Sequence, residues 1–473
     1  MNQPILPTVL LSQLGERAEA ETAAEVVGTR PAADNRALVG VVLGAVLMIL
    51  ATLGPFIAMA TSEGASEGSS FRQFAYVLLL GAVLVWAAPW QRGYKYIAVP
   101  LPIVLALVWC WLSIGWAIEP GIAFRRLLLT TCVVWSACIL VHCNGYRRNL
   151  NALRIAMVIV LAINFLAVWY APEVGIHLGN DLKAGTSVAG NWRGLTTHKN
   201  FAGAASALCI LLFLFDARAI MLPVRAGIIA AASMFLYYSA SKTSIGMLIL
   251  ASLLGYSYNR IATRYRRFVI PVLVVIICAV AAYGSMYTDS VARLYLQPTA
   301  FTGRGQIWSA LYLYAQTHAL LGAGFSSFWN IGGDSPIYIY GTGYTTMVTV
   351  GHNGYLDLLV TVGWPGALLI VWAVLMWPLI RVVSMDRLDP AKGAMLCSML
   401  LFCIGHNVTE SSLFERDSFV GLFAVFAASF ATYSISRSRS SSGKRRRSSS
   451  SSSAGQNLMA QMKARKIPGA SSE

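Results

Sequence analysis

Charge is scarce in this sequence: of 473 residues only 12% are charged, half of the roughly 25% typical of soluble domains. A chain this poor in charge cannot clothe a large water-facing surface. Phosphate-binding signatures are missing too. There is no GxxxxGK[ST], so nucleotide-driven transport by this chain alone is excluded as a first reading. Asp-x-Asp is absent from the segments expected to face outward; Glu415 and Asp417 only flank Arg416 as a local charge cluster. No HExxH, no CxxC and no close His/Cys set suggests a zinc site, so no metal is expected. The eight cysteines all lie within or beside apolar runs, as buried thiols do. The first 36 residues are polar, and their apolar patch over 5–11 is too short for a secretory leader. The first span itself is expected to hold the chain in the membrane.

What is present is apolar. Hydrophobic residues make up 56% of the chain, and the mean hydropathy is +0.61. Runs of 18 or more nearly uncharged residues recur along most of the length, the mark of membrane-spanning helices. The expected fold is an all-α polytopic membrane protein with about 12 transmembrane helices. Spans are placed near 37–60, 73–90, 97–118, 124–142, 152–170, 201–215, 222–239, 243–258, 268–287, 356–380, 392–409 and 418–435. A tail over 1–36 precedes this 37–435 domain, and a basic, Ser-rich tail over 436–473 follows it. The composition of the second tail is that of a disordered, topogenic segment held by anionic lipid headgroups.

The net charge of +16 does not point to nucleic acid, because the basic residues fall in short clusters between apolar runs. With both termini cytoplasmic, 26 of the 36 Lys and Arg lie inside and ten outside, the sign the positive-inside rule requires. Two loops are long, 171–200 and 288–355, and the second is the large periplasmic loop between spans nine and ten. Long loops inside compact folds are commonly functional, and these carry aromatics such as Trp192, Trp308, Phe325 and Trp329. Apolar residues at helical spacing from Gln306 to Thr317 predict a helix in the outer interface, aromatics toward lipid.

Cations on the outer side are the unexpected feature. Arg125 and Arg126 open span four, Arg193 and Lys199 precede span six, Lys242 opens span eight, and Arg304 opens the interfacial helix. Each alone reads as a snorkelling side chain. Six on four separate segments at one depth would suit a pyrophosphate, through charge-assisted hydrogen bonds. Among the histidines, His198 stands at a helix start where capping is the simple role, and His406 lies in span eleven near Glu410. His352 ends the longest outer loop, is followed by Asn353 and an apolar helix, and has the chemistry of a general base.

Nine residues separate His352-Asn353 from Gly363-Trp364-Pro365-Gly366. This resembles the H-[NSQ]-x9-G-x-x-G signature of the bacterial O-antigen ligase and polysaccharide polymerase superfamily. Other pieces follow in the family's order. Trp116-Ala117, Pro120 and Arg125-Arg126 are similar to its segment between spans three and four, and Gly194-Leu195 through His198-Lys199-Asn200 to its span-six start. Thr302-Gly303-Arg304 with Trp308, then Gly322 to Phe325, resembles the start of its large periplasmic loop. Asn407-x-Thr409-Glu410-Ser411 resembles the end of its span eleven. The resemblance covers roughly 100–435. His198-Lys199-Asn200, Ser241-Lys242-Thr243 and Thr302-Gly303-Arg304 look more like exopolysaccharide polymerases of the rhizobial type. Many ligases carry Arg at the position of Lys242, a departure that weighs against ligation of polysaccharide to lipid A-core.

The resemblance implies metal-independent, inverting glycosyl transfer from an undecaprenyl-pyrophosphate-linked oligosaccharide, on the periplasmic face of the bacterial inner membrane, without a cofactor. The acceptor is then a growing glycan or, for a ligase, lipid A-core, and a chain-length regulator is an implied partner. On this reading His352 is the general base, and Arg125, Arg126, Arg193, Lys199, Lys242 and Arg304 hold the pyrophosphate. His198, Asn200 and Asn353 support them, Gly363 and Gly366 allow close packing or a bend helped by Pro365, and Glu410 positions an Arg or the histidine. A lipid-linked oligosaccharide flippase is the rival of another class. It should show repeat symmetry and central charges, whereas here the charges lie in outer loops. A non-catalytic scaffold would need no histidine at that spacing.

Overall fold

The computed structural model describes residues 35–53, 70–178, 188–272, 304–386, 388–415 and 418–433. Uninterrupted apolar sequence makes helices wherever backbone polar groups must be satisfied within their own segment, and the described residues follow that rule. In chain order they form α1 (Asn35–Leu53), α2 (Ser70–Ala87), α3 (Leu101–Leu112), α4 (Pro120–Tyr170), α5 (Lys199–Leu214) and α6 (Leu222–Ser239). There follow α7 (Lys242–Tyr258), α8 (Arg304–Thr317), α9 (Gly354–Val371), α10 (Trp377–Ser384), α11 (Pro390–His406) and α12 (Phe419–Tyr433). One isolated antiparallel bridge, Ile176 to Trp192, is the extent of β pairing among these residues. Five of the helical stretches are long and apolar enough to cross a membrane, and four shorter apolar ones accompany them. The chain is a multi-pass helical membrane protein. The expected ninth span, 268–287, lies mostly outside the described residues, as do both tails.

Two features differ from expectation, the length of the tenth span and the facing of α8. Spans four and five, placed at 124–142 and 152–170, are the two helical halves of α4, which meet at Gly145, whose φ 76° and ψ 177° are not helical. At this junction Asn149 donates from its side-chain amide to the carbonyls of Leu140 (2.9 Å) and Gly145 (2.7 Å), satisfying groups the break would orphan. The tenth span continues from α9 through a single π turn (Trp372–Met376) into α10, giving Gly354–Ser384. The second concerns α8, whose aromatics divide: Tyr312 stays 42% exposed, whereas Tyr314 turns inward. Tyr314 is buried, packed edge-on against Phe328 and Tyr340 and stacked on His318. With Ile307, Leu311, Trp329 and Ile337 it builds a small core inside the long loop, separate from the main core. The loop has enough apolar surface to fold on itself, and that burial wins over contact with lipid.

The main core is built where small residues let helices approach. In α5, Ala202 to Ala207 are all buried, and a Cβ on Gly203 would meet Ser241 at the start of α7. A Cβ on Gly255 of α7 would collide with Ser398 of α11. Hence α5 packs on α6 and α7, and α7 on α11, which sets the starts of α5, α7 and α9 and the end of α11 around one spot. At the other end, two buried arginines stitch helix termini. Arg154 donates to the carbonyls of Leu212 (3.0 Å), Phe215 (3.2 Å) and Asp216 (2.8 Å), and Arg266 to those of Val383 (3.1 Å) and Tyr258 (2.9 Å). Some of the basic residues counted as topogenic therefore also satisfy the last carbonyls of neighbouring helices.

Candidate functional site

Glu410, in the turn after α11, is the hub of the site. Its side chain is 6% exposed. One carboxylate oxygen accepts from Arg304, the first residue of α8, and from the side-chain amide of Asn200 at 2.6 Å. The other oxygen meets Nδ1 of His352 at 3.2 Å. Burial alone would raise this acid's pKa. The hydrogen bond from His352 and the charge of Arg304 override that and hold it at about 2. A carboxylate only accepts, so Nδ1 of His352 carries a proton, and in the neutral ring the lone pair is then on Nε2. The His352 side chain is 26% exposed, so the imidazole is not sealed off from a reactant.

His352 owes its placement to an unusual backbone, with φ +51° in the left-handed region. For a residue other than glycine this conformation persists only when surrounding contacts enforce it. They do. The preceding amide, Gly351 N–H, donates to the Asp357 carboxylate (3.1 Å), and the following one, Asn353 N–H, to Ser411 Oγ (3.0 Å). Trp308 of α8 donates its indole N–H to Gly351 O (3.0 Å). Asn353 caps α9, its side-chain oxygen accepting from the amides of Tyr355 and Leu356 at 3.1 Å. Gly354 N–H reaches back to the carbonyls of Asn407 (2.9 Å) and Glu410 (3.0 Å), which locks the α9 start against the turn bearing Glu410.

The glycines of the signature do the docking. Gly363 takes φ +68°, ψ 179°, breaking α9, and the backbone of Leu320 fills the space a Cβ would occupy. The amide of Trp364, released by the break, donates to Ala319 O (2.8 Å), while Ala323 N–H donates to Val360 O (2.8 Å). Gly366 lies against the ring of Trp109 in α3, whose indole donates to Val362 O (3.0 Å). One motif thus places His352 at its first end and seats the long loop at its second.

A second group stands beside the hub. His198 is the N-cap of α5, its Nδ1 accepting from Asn200 N–H (3.2 Å), and His177 Nε2 accepts from Lys199 N–H (3.1 Å). Their rings meet edge-on at 5.3 Å. Two neutral imidazoles therefore cap one helix start. Burial drives the His198 pKa down to about 3, against the raising effect of Glu410. Lys199 donates to Ala240 O (3.2 Å) and lies within electrostatic range of Lys242, Arg304 and Glu410. Thr243, next to Lys242, accepts from Thr409 Oγ1 at 2.9 Å.

The sequence-predicted residues therefore divide. Lys199, Lys242 and Arg304 converge on the Glu410 cluster with His352, Asn200 and His198. Arg126 directs hydrogen bonds to the carbonyls of Ser326 (2.6 Å), Trp329 (2.8 Å) and Asn330 (2.9 Å), anchoring the long loop to α4. Arg193 donates to Val174 O (2.8 Å) within its own loop, and Arg125 is exposed at the start of α4. His406 is buried, stacked on Phe402. Sequence reasoning missed two residues. His177 gave no local signal, because its partner is 22 positions away. Asp357 reads as an ordinary first-turn helix acid, yet it binds Gly351, Ser411 and the Trp329 indole. Among the described residues no three His, Cys, Asp or Glu side chains group as a metal site.

Comparison with known proteins accords with this geometry. Residues 210–371 match the family model described as O-antigen ligase, about a third of the chain. The matched segment contains Lys242, Arg304, His352, Gly363 and Gly366, and it supports a place in the O-antigen ligase and polymerase superfamily, a group of membrane glycosyltransferase-like enzymes. Such a family implies a lipid-linked glycan donor and a glycan acceptor. No curated protein matches the chain.

Proposed function

We propose that this chain is a polysaccharide polymerase of the inner membrane. It joins undecaprenyl-pyrophosphate-linked oligosaccharide repeat units into exopolysaccharide on the periplasmic face. One observation carries the reading: a single buried carboxylate, Glu410, holds both the imidazole of His352 and the guanidinium of Arg304. Base and cation are thereby set side by side, as an inverting glycosyl transfer needs.

The acceptor sugar gives its hydroxyl proton to Nε2 of His352. Its oxygen forms a bond to the anomeric carbon of the donor. The bond from that carbon to the pyrophosphate breaks, and the electron pair leaves with the phosphate. The imidazolium so formed is stabilised by Glu410 across the Nδ1 contact, the role an acid plays behind a catalytic histidine. Arg304, Lys199 and Lys242 meet the charge that builds on the leaving pyrophosphate, and preorganised charge of this kind is a large catalytic contribution. Arg126 and Arg193, expected to bind pyrophosphate, instead hold loop carbonyls, and Arg125 is exposed at the start of α4. Lys242 stands where many ligases carry Arg, which favours polymerisation over transfer to lipid A-core. A chain-length regulator fits this activity as a partner.

The test is polysaccharide analysis in a deletion strain carrying wild-type or His352→Ala protein at equal level. The expected result is loss of high-mass exopolysaccharide with single repeat units still made and lipopolysaccharide unchanged. Intact exopolysaccharide with lipid A-core lacking its O-chain would mean a ligase. Full polymer from the variant would overturn the assignment of His352.

A further inference from the structure

Asp357 lies one turn into α9, carries none of the charge needed by the proposed reaction, and is buried. Its two oxygens nevertheless join three separate parts of the chain. Oδ2 accepts from Gly351 N–H (3.1 Å) and from Ser411 Oγ, the residue after Glu410. Oδ1 accepts from the Trp329 indole N–H at 2.8 Å, inside the core of the long loop. Gly351 precedes the left-handed His352, and Ser411 Oγ in turn accepts from Asn353 N–H, which follows it. The turn bearing the base is thus clamped on both sides through one carboxyl group. The fit is close: a Cβ at position 351 would run into Asp357 Oδ1 and lie 2.6 Å from Leu311 Cδ1.

Resting on the function proposed above, we infer that Asp357 is a positioning residue. It holds the strained His352 turn so that Nδ1 meets Glu410, and it ties that geometry to the folded state of the long loop. Chemistry makes the inference sharp. Gly351 N–H and Trp329 Nε1–H are donors that cannot accept, so both carboxyl oxygens must accept. An asparagine can oblige only one of them. With its carbonyl turned to Gly351 and Ser411, its amide faces the indole N–H, donor against donor.

The experiment is steady-state polymerisation by purified, membrane-reconstituted protein with a lipid-linked repeat unit. Asp357→Asn is expected to lose kcat by about a hundredfold, the scale of an ångström-sized misplacement, with the donor KM within about twofold of wild type. Trp329→Phe alone is expected to lose about threefold through packing. The double variant, in which the opposing indole N–H is gone, should recover about tenfold over Asp357→Asn, because the amide then faces no donor while the carbonyl serves Gly351 and Ser411. A purely structural role would instead lower the amount of folded protein and leave the kcat of what remains unchanged. That outcome, or an additive double variant, overturns the inference. If His352→Ala is fully active in the same assay, it is the reading of His352 that fails, and the two failures are told apart.

Discussion

At the scale of single residues, Glu410 decides the site. It is the only partner through which Arg304 and His352 share a charge among the described contacts. Removing the carboxylate should therefore disturb both. Glu410→Gln is expected to lower kcat by about 10²- to 10³-fold, the scale of losing preorganised charge at a reacting group. It should also destabilise the protein by about 3 kcal/mol, because a largely buried guanidinium is left without its anion. The pH dependence has a definite sign. Folding lowers the Glu410 pKa from its ordinary 4.5 to about 2. The stabilisation is thus complete above about pH 4.5 and disappears as pH falls toward 2. Thermal midpoints of wild type and Glu410→Gln in detergent should differ by a constant amount from pH 8 to 5 and converge below. A gap that already closes between pH 8 and 6 would show that another group controls the difference.

Elements were legible in proportion to how local their causes are. Apolar runs of 18 residues announce their helices, and Asn353 and Asp389 cap α9 and α11 just before the spans expected at 356–380 and 392–409. The helix over Gln306–Thr317 was legible, but its orientation was not, because the partners that bury Tyr314 lie at Phe328 and Tyr340 in a loop without regular periodicity. The tightness of the junction between spans four and five hangs on Asn149 reaching back to two carbonyls, which no composition announces. In the site, resemblance to the family's motifs pointed to His352, Gly363 and Glu410. Which cations converge was not legible, since Arg126 and Lys199 look alike until the loop carbonyls that occupy Arg126 are placed. The signature's second half yields a prediction of its own. Gly363 has φ +68° and its Cβ site is filled by the Leu320 backbone, so Gly363→Ala should cost at least about 2 kcal/mol in strain and collision. Limited proteolysis checks it: cleavage should rise within 318–353 while α11 stays protected. Equal cleavage throughout would mean global unfolding, and unchanged cleavage would mean the break in α9 does not seat the loop.

At the scale of the whole molecule, the proposed reaction demands a sidedness. The Glu410 cluster, the long loop and the aromatic core around Tyr314 share one end of the bundle, and the Arg154 and Arg266 caps share the other. A donor displayed on the periplasmic face requires the first end to point there, and the basic cluster Arg260, Arg264 and Arg267 to point to the cytoplasm, as the positive-inside rule expects. The cysteines make this straightforward to test. Of the seven in described positions, six are buried and Cys143 is partly so. In a background with Cys143 and Cys278 changed to Ser, one new thiol at a time can therefore be read cleanly. Ile339 is 80% exposed on the loop, and Arg260 is exposed after α7. In spheroplasts treated with a membrane-impermeant maleimide, Ile339→Cys should label at once and Arg260→Cys only after the membrane is opened. The reverse pattern would put the Glu410 cluster in the cytoplasm, where a donor on the outer leaflet is out of reach, and polymerisation at this site would be ruled out whatever His352→Ala does. The expected pattern also bears on the flippase rival. A transporter exposes its central site to both sides in turn, so label at the Arg304 end from one side only is what a one-sided transferase requires.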